Sequence, residues 1–509
     1  MGNEETRTED AGAEAPGALS GGEAKQQDGG GEILDMEQAI ALLKTTRPTF
    51  YRWLRAGKFK GMKVGRQWRF YRKDIEAFLK GEGPRIALTA NISPLLGELS
   101  SKYKELGGEK ATASGKTDLE QAADLTAAIA VRMGASDVHI HPYEEGKAVL
   151  RMRVDGVLHT LLQFDLRLLP PIIQQWKALT AADINEKYLP QDGRGMLTVS
   201  EAALDVRTSF LPTALGESIT MRILRHDTVR LELDRLAFSP RDVQLLQEHL
   251  KAPAGVIVVT GPTGSGKTTT LYSALQYINR PEIKIMTVED PVEYLLPGIV
   301  QTNLRPDIGM TFPVVLLRFF RSDPDVMMVG EIRDTETLEM CVKGAVAGHL
   351  LLTTLHSPDA VSALQRIRDI IDATLLKTAG DVIKLVVAQR LVRTLCESCS
   401  VDYDPPQELL DEIEMRACTG GLDWDAIPKH LRKAVGCSEC AQTGYKGRTA
   451  VAEALAVSPA ILDAVRAGAP CEDVLNIAVE EGMTTMAAHG ILKAAEGITT
   501  VDEVTRVLL

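Results

Sequence analysis

Gly255-Val-Ile-Val-Val-Thr-Gly-Pro-Thr-Gly-Ser-Gly-Lys-Thr268 is the stretch on which the fold turns. It opens as an apolar run suited to a buried strand. Gly261–Thr268 then matches the phosphate-loop pattern G-x-x-x-x-G-K-[ST], and Thr269–Ile278 continues with helical spacing. Strand, glycine-rich turn and helix in that order are the context in which this pattern carries chemistry. Gly261, Gly264 and Gly266 let the backbone wrap an anion, with Pro262, Thr263 and Ser265 completing the turn. Successive N–H groups and the positive end of a helix dipole then face a phosphate. Lys267 is placed to reach the β- and γ-phosphates, the Thr268 hydroxyl to hold Mg²⁺, and Thr269 to extend the same surface. ATP and Mg²⁺ are the expected ligands. A similar run, Ser114-Gly-Lys-Thr117, has Lys110 where the first glycine belongs and no apolar strand before it, so it reads as a loop.

Downstream, buried apolar runs at Val256–Thr260, Ile283–Glu289, Val326–Val329 and Leu350–Thr354 alternate with helical segments. That alternation predicts an α/β domain around a largely parallel sheet, with functional groups at the strand ends. Asp325-Val-Met-Met-Val-Gly-Glu331 delivers Glu331, which suits polarising an attacking water or holding the metal's water shell. Lys284-Ile-Met-Thr-Val-Glu-Asp290 and the following Pro-Val-Glu293 deliver Glu289 and Glu293; acids at strand ends serve equally as caps and surface turns. His349 and His356 bracket the run Leu350–Leu355. Each reads either as a packed or capping residue, or as a neutral imidazole that senses a γ-phosphate.

The chain of 509 residues is too long for one core, and its composition, 45% hydrophobic and 25% charged, excludes collagen-like, wholly disordered and polytopic membrane classes. It has no apolar run long enough to span a bilayer and no signal-peptide pattern at its start, so a cytoplasmic location is expected. The net charge of −12 is unevenly spread: residues 33–80 carry twelve bases against four acids, while residues 1–31 carry seven acids against two bases. Eight glycines and almost no large apolar side chain make 1–31 a disordered tail. A polar connector is expected from about Gly81 to Lys116, interrupted by Pro84, Pro94 and Gly107–Gly108. Helical spacing runs from Asp118 to Met133, and strands are expected at Ala148–Val154, Leu204–Phe210 and Ser218–Leu224. After Ser458 the pattern is helical.

Four segments together resemble the ATPases that power type II secretion and type IV pilus assembly: GPTGSGKT (261–268), TVEDPVEY (287–294), DPDVMMVGEIRD (323–334) and GHLLLTTLH (348–356). Ala135–Pro142, Arg151–Gly156 and Leu189–Arg194 resemble that family's second N-terminal domain, and Glu481–Met483 and Gly497–Thr500 its C-terminal helices. The resemblance covers roughly 118–509. It implies an α/β, RecA-like P-loop ATPase core at 229–509, preceded by a small α+β, PAS-like domain at 117–228. It also implies a hexamer working with an inner-membrane platform protein and a membrane anchor, peripheral at the inner membrane. Glu331 would be the catalytic acid, with Glu289, Glu293, His349 and His356 assisting. Arg207 and Arg222 would reach phosphates, as guanidinium groups suit spread negative charge. Of the family's paired arginines Arg321 is present, but Leu317 stands where the other belongs, with Arg318 displaced by one position. His141 stands where the family usually has Glu.

Cys396-x-x-Cys399 and Cys437-x-x-Cys440 form two knuckles, suited to a structural Zn²⁺ with four thiolates and no open position. The family's assembly-type members carry such an insert, here 394–449, including Gly444–Arg448, with C-terminal helices following at 450–509. Cys341, Cys418 and Cys471 read as small apolar residues.

Residues 33–82 resemble the winged helix-turn-helix of the MerR and excisionase families, behind a tail at 1–32 and ahead of a linker at 83–116. Met36–Leu43 would be the first helix, Pro48–Leu54 the recognition helix, Gly57–Phe70 the wing and Lys73–Leu79 a closing helix. Docking on an acidic protein surface or anionic membrane is placed ahead of DNA contact, because charge and fold do not fix the partner. The leading function is a secretion or pilus-assembly motor. The alternatives are a DNA-uptake or conjugation motor of the same superfamily, and a DNA-binding regulator with an ATPase domain.

Overall fold

The computed structural model describes residues 32–55, 59, 61–64, 67–79, 90–109, 115–199, 202–225, 232–370 and 381–508. The tail expected at 1–31, and parts of the expected wing and linker, lie outside the described residues. The described residues fall into two units divided near Arg85, each with its own core.

In the first unit, strands Ile33–Asp35, Met62–Val64 and Gln67–Tyr71 form a small antiparallel sheet with the last strand in the middle. Helices Met36–Leu42, Arg47–Arg55 and Arg72–Leu79 pack on it. Asp35 caps the first helix and Gln38 returns the bond, a reciprocal pair that satisfies two otherwise orphaned N–H groups. The core is aromatic: Phe50 lies 4.9 Å from Phe59 and 5.2 Å from Phe70, ring centre to ring centre. With the apolar side chains turned inward, Arg47 and Arg52 remain exposed on the second helix.

Among its described residues the second unit contains, beside a two-stranded ribbon of Val401–Asp402 and Arg432–Lys433, two large sheets. The smaller is wholly antiparallel, in the order Val157–Asp165, Lys147–Val154, Ala135–Glu144, Gly216–Arg225, Ala202–Thr213, Gln191–Val199. Helices Asp118–Met133 and Leu169–Leu179 pack against it through Ile129, Ile173 and Trp176. A third helix, Ser93–Glu105, joins the same core. It corrects the expectation of a plain polar linker over 83–116. Pro94 sits in the first turn, where its missing N–H costs nothing, and Leu95, Leu99 and Tyr103 recur every fourth residue and are buried.

The larger sheet has the order Val300–Asn303, Ile285–Glu289, Val326–Val329, Leu350–Leu355, Gly255–Thr260, Ile383–Leu395, Tyr445–Ala456. Its first six strands are parallel and the last is antiparallel. Side chains alternate between faces. Val256, Val258, Met327 and Leu351 enter one core, and Ile257, Val259, Met328 and Leu352 the other. Helix Lys267–Ile278 covers the second face, and helices Phe312–Phe319, Thr335–Val346 and Ala360–Ile370 the first. The segment 450–509 is not all helical, because residues up to Ala456 complete the edge strand before four helices begin at Pro459. That strand is buried against its neighbour, which is why its run Ala450–Leu455 is almost wholly apolar.

Candidate active site

The phosphate loop leaves the interior strand Gly255–Thr260 at its C-terminal end and enters helix Lys267–Ile278. Gly261, Gly264 and Gly266 have φ of 142°, 81° and 90°, conformations that side chains resist. At Gly261 a Cβ would also lie 2.4 Å from the Gln389 carbonyl oxygen. The neighbouring strand braces the loop. Buried Gln389 donates from Nε2 to the Ser265 carbonyl at 2.7 Å and accepts from the Thr270 hydroxyl at 2.7 Å. Lys267 folds over the loop, its Nζ donating to the Gly261 carbonyl at 2.8 Å and the Pro262 carbonyl at 3.0 Å. Burial lowers its pKa, and the charge of Glu331 partly opposes that.

Because the strands are parallel, the residues that follow Thr260, Val329 and Leu355 meet at one edge of the sheet. Glu331 and His356 come together there, Nε2 to Oε2 at 3.2 Å. Arg333 pairs with the other oxygen of Glu331 and reaches the Asp290 carboxylate at 3.1 Å. Thr260 ties this edge to the loop: its hydroxyl donates to the Ser357 carbonyl at 3.1 Å and accepts the Ser357 N–H at 2.9 Å.

Other expected residues lie elsewhere within the chain. His349 begins the strand that His356 ends, so it sits at the opposite edge of the sheet, six strand residues or about 20 Å away. There its Nδ1 bonds the Gly344 carbonyl at 2.9 Å, near the end of helix Thr335–Val346. Within the chain it therefore stands apart from Glu331 and His356, against the end of that helix. Glu289 is 4% exposed, with its carboxylate turned inward to accept from Tyr272, from Thr287 at 2.6 Å and from Gln301 at 3.3 Å. Burial raises its pKa. Glu293 faces Arg207 of the small sheet at 3.6 Å. Arg222 is the cross-strand neighbour of Arg207 and pairs with Asp137 at 3.2 Å. Arg321 is exposed, just before strand Val326–Val329, and therefore at the edge away from the chain's own phosphate loop. Leu317, standing at a family arginine position, is 52% exposed on the same helix as Arg318.

A cleft of about 220 Å³ opens before the loop. Pro262–Ser265 line one side, Asp155 and Gly156 of the small sheet's hairpin another, and Arg390, Arg448 and Arg506 complete it. Sequence reading missed these three arginines and Gln389. They come from segments far from the loop in sequence, and a basic residue alone carries no sign of where it will fold.

Such an edge can hold a nucleoside triphosphate on backbone N–H groups and Lys267, with Glu331 poised beside the terminal phosphate. The type II/IV secretion system protein family matches residues 112–506. The chain belongs to that family. This secretion-family ATPase is 42% identical over 382 residues to the type II secretion system protein E of Pectobacterium carotovorum, covering 74% of this chain and 73% of that protein. It is 36% identical over 436 residues to the type IV pilus assembly ATPase PilB of Myxococcus xanthus, covering 85% and 75%. Its fold matches the Legionella pneumophila ATPase DotB with a TM-score of 0.56 at 19% identity, over 76% of this chain and 94% of that one. Residues 33–83 match a helix-turn-helix domain. The enzyme is therefore an ATPase of the secretion and pilus-assembly motor family, joined to a helix-turn-helix module.

In the same ATPase, Cys396, Cys399, Cys437 and Cys440 gather with their sulfurs all within 4.8 Å of one another. Three pairs are 3.8 to 3.9 Å apart. Tetrahedral zinc with Zn–S bonds of about 2.3 Å sets sulfurs roughly 3.8 Å apart, so the donor set fits that ion. Backbone N–H groups of Gly436, Cys437 and Gly444 donate to these sulfurs at 3.2 to 3.4 Å, which suits thiolates. The cluster sits directly after strand Ile383–Leu395, the strand that braces the phosphate loop.

Proposed function

We propose that the chain is an ATP-hydrolysing motor that works as a homohexamer on the cytoplasmic face of the inner membrane. It would drive assembly of a type II secretion pseudopilus or a type IV pilus through a platform protein and a membrane anchor. The observation that carries this reading is the meeting of Lys267, Glu331 and His356 at one sheet edge, in a chain alike over most of its length to secretion and pilus-assembly ATPases.

In this reading the ammonium of Lys267 passes from the loop carbonyls to the β- and γ-phosphates, and Thr268 holds Mg²⁺. Glu331 orients the attacking water while His356 and Arg333 fix its carboxylate. Arg321, facing away from its own loop, serves a neighbouring subunit. Residues 117–228 form a PAS-like domain, and Arg207 and Arg222 present guanidinium groups from it. Zn²⁺ at the four cysteines is structural, holding the insert between the last two strands. The helix-turn-helix module docks on an acidic protein or membrane surface.

The test is a deletion strain complemented with wild type or with Lys267→Ala. Surface pili or secreted protein restored by the first and not the second is expected. Normal secretion and piliation alongside lost DNA uptake would instead select the DNA-uptake reading.

A further inference from the structure

The cleft before the phosphate loop contains a built oxyanion contact, made by the chain itself. Asp155 and Gly156 form the tight turn between strands Lys147–Val154 and Val157–Asp165, with φ of 47° and 83°. Such a two-residue turn fixes where its side chain points. The Asp155 carboxylate accepts the Gly447 N–H at 3.1 Å on one oxygen and lies 3.3 Å from Arg448 Nε on the other. A backbone N–H beside a guanidinium binds any oxyanion, carboxylate or phosphate, by the same geometry.

The other cations of the cleft differ in how far they are committed. Arg506 and Arg393 share Glu503, each at 2.7 Å. Arg390 donates to the Pro358 carbonyl at 3.4 Å, and its buried Nε has no partner among the described residues. Arg448 forms its ion pair with Asp155, across the same cleft that Pro262–Ser265 line. An acid therefore stands in a basic cleft whose expected ligand is a polyanion, and it joins the small sheet to the ATPase sheet.

We propose that the Gly447 N–H and Arg448 are a second oxyanion site of the nucleotide cleft, which takes ATP phosphate, and that Asp155 is its internal occupant, displaced when nucleotide binds. The inference rests on the reading of Gly261–Thr268 as the nucleotide loop. Nucleotide arrival then exchanges an intramolecular ion pair for one with the ligand and releases the hairpin from the ATPase sheet. Part of the binding energy is spent on that release, so apparent affinity falls by the fraction of chains with the contact open.

The experiment is calorimetric titration of the full chain with Mg·AMP-PNP, with melting curves to confirm folding. Asp155→Ala is expected to bind about five- to tenfold tighter than wild type, as a contact closed in most chains implies. Asp155→Asn keeps an acceptor for the Gly447 N–H without the charge and should fall between the two. Arg448→Ala should bind about tenfold weaker, and adding Asp155→Ala to it should change little, since the two residues act through one contact. Weaker binding in Asp155→Ala would overturn the proposal and make the acid part of the nucleotide site. Unchanged affinity in both Asp155 variants, or in Arg448→Ala, would overturn it too. Failure of the underlying reading looks different: wild type would bind no nucleotide, or Lys267→Ala would bind it equally well.

Discussion

His356 meets Glu331 at 3.2 Å across the shared edge of two adjacent parallel strands, while His349 starts the same strand at the opposite edge, bonded to the Gly344 carbonyl. The two histidines should therefore fail differently. His356→Ala releases one oxygen of the Glu331 carboxylate and, if that group is the catalytic acid proposed above, should lower kcat by about tenfold with little change in nucleotide affinity. His349→Ala should leave kcat within about twofold and cost roughly 1 kcal/mol of stability through the lost bond. Steady-state ATPase assays paired with melting curves check this. Equal kcat losses in both variants would count against the division of roles.

Lys267 and Glu331 should separate binding from chemistry. Lys267→Ala removes the cation proposed to meet the phosphates and should abolish measurable nucleotide binding. Glu331→Gln keeps the shape but not the charge, so binding should persist while turnover falls by about 10² or more. Filter binding and phosphate release read the two effects. Retained turnover in Glu331→Gln would move the catalytic role to another acid, and Glu289 is poorly placed for it because its carboxylate is held by Tyr272, Thr287 and Gln301.

What could be read from sequence follows the locality of the physics. The phosphate loop needs only consecutive residues, and Gly261, Gly264 and Gly266 take up the positive φ that the pattern demands. His349 and His356 are close in sequence but lie at opposite edges of the sheet, because spacing along a strand is distance along it. Helix Ser93–Glu105 hides behind Pro94 and Gly97, although Leu95, Leu99 and Tyr103 mark its buried stripe. Strands Ile383–Leu395 and Tyr445–Ala456 lie on either side of a long insert, so nothing local announces that they pair. Gln389 and Arg390 reach the loop because their strand also pairs with Gly255–Thr260, and Arg448 through the strand beyond it; no spacing rule connects any of them to Gly261.

The cysteine cluster predicts a metal dependence. Purified protein should carry one Zn²⁺ per chain by elemental analysis, and chelation should lower the melting temperature, because ligand binding to the folded site alone stabilises it. Cys437→Ser should destabilise the C-terminal part by several kcal/mol, on the order expected for a broken structural site. Zinc-free protein with an unchanged melt after chelator would sink the assignment.

A buried carboxyl gives the stability a pH signature. Glu453 accepts the N–H groups of Ala360 at 2.8 Å and Met486 at 2.7 Å, at the starts of two helices. Burial pushes its pKa up to about 7, and nearby Asp242 is pushed up to about 6. A raised folded-state pKa means the native chain holds a proton that the unfolded chain releases. The associated stability is complete below the ordinary carboxylate range and is lost as pH rises through about 7. His489, pushed down to about 4 by burial, acts in the opposite sense below its ordinary range, so wild type alone mixes the two. The difference between wild type and Glu453→Gln isolates the carboxyl. Relative to the variant, wild type should lose on the order of 2 kcal/mol between pH 5 and 8. Parallel pH profiles for the two proteins would show that Glu453 does not titrate in this window.

The helix-turn-helix module sets the last expectation, because its fold leaves its partner open. Phe50, Phe59 and Phe70 fill its interior and leave Arg47 and Arg52 exposed on helix Arg47–Arg55. Residues 33–80 carry twelve bases against four acids, which suits DNA, an acidic protein or an anionic membrane alike. A homohexamer would present six copies, and such avidity favours a repeated surface over a single operator. Duplex DNA should therefore bind the full chain only through phosphate charge. Affinity should fall steeply, by about 10²-fold or more, between roughly 50 and 200 mM salt, with no preference among sequences. Anionic vesicles or the membrane anchor should compete for the same face, and Arg47→Ala with Arg52→Ala should weaken all of these together. A sequence-specific DNA complex that survives the higher salt and disappears in the double variant would reverse the assignment, since base contacts, unlike phosphate contacts, carry sequence information.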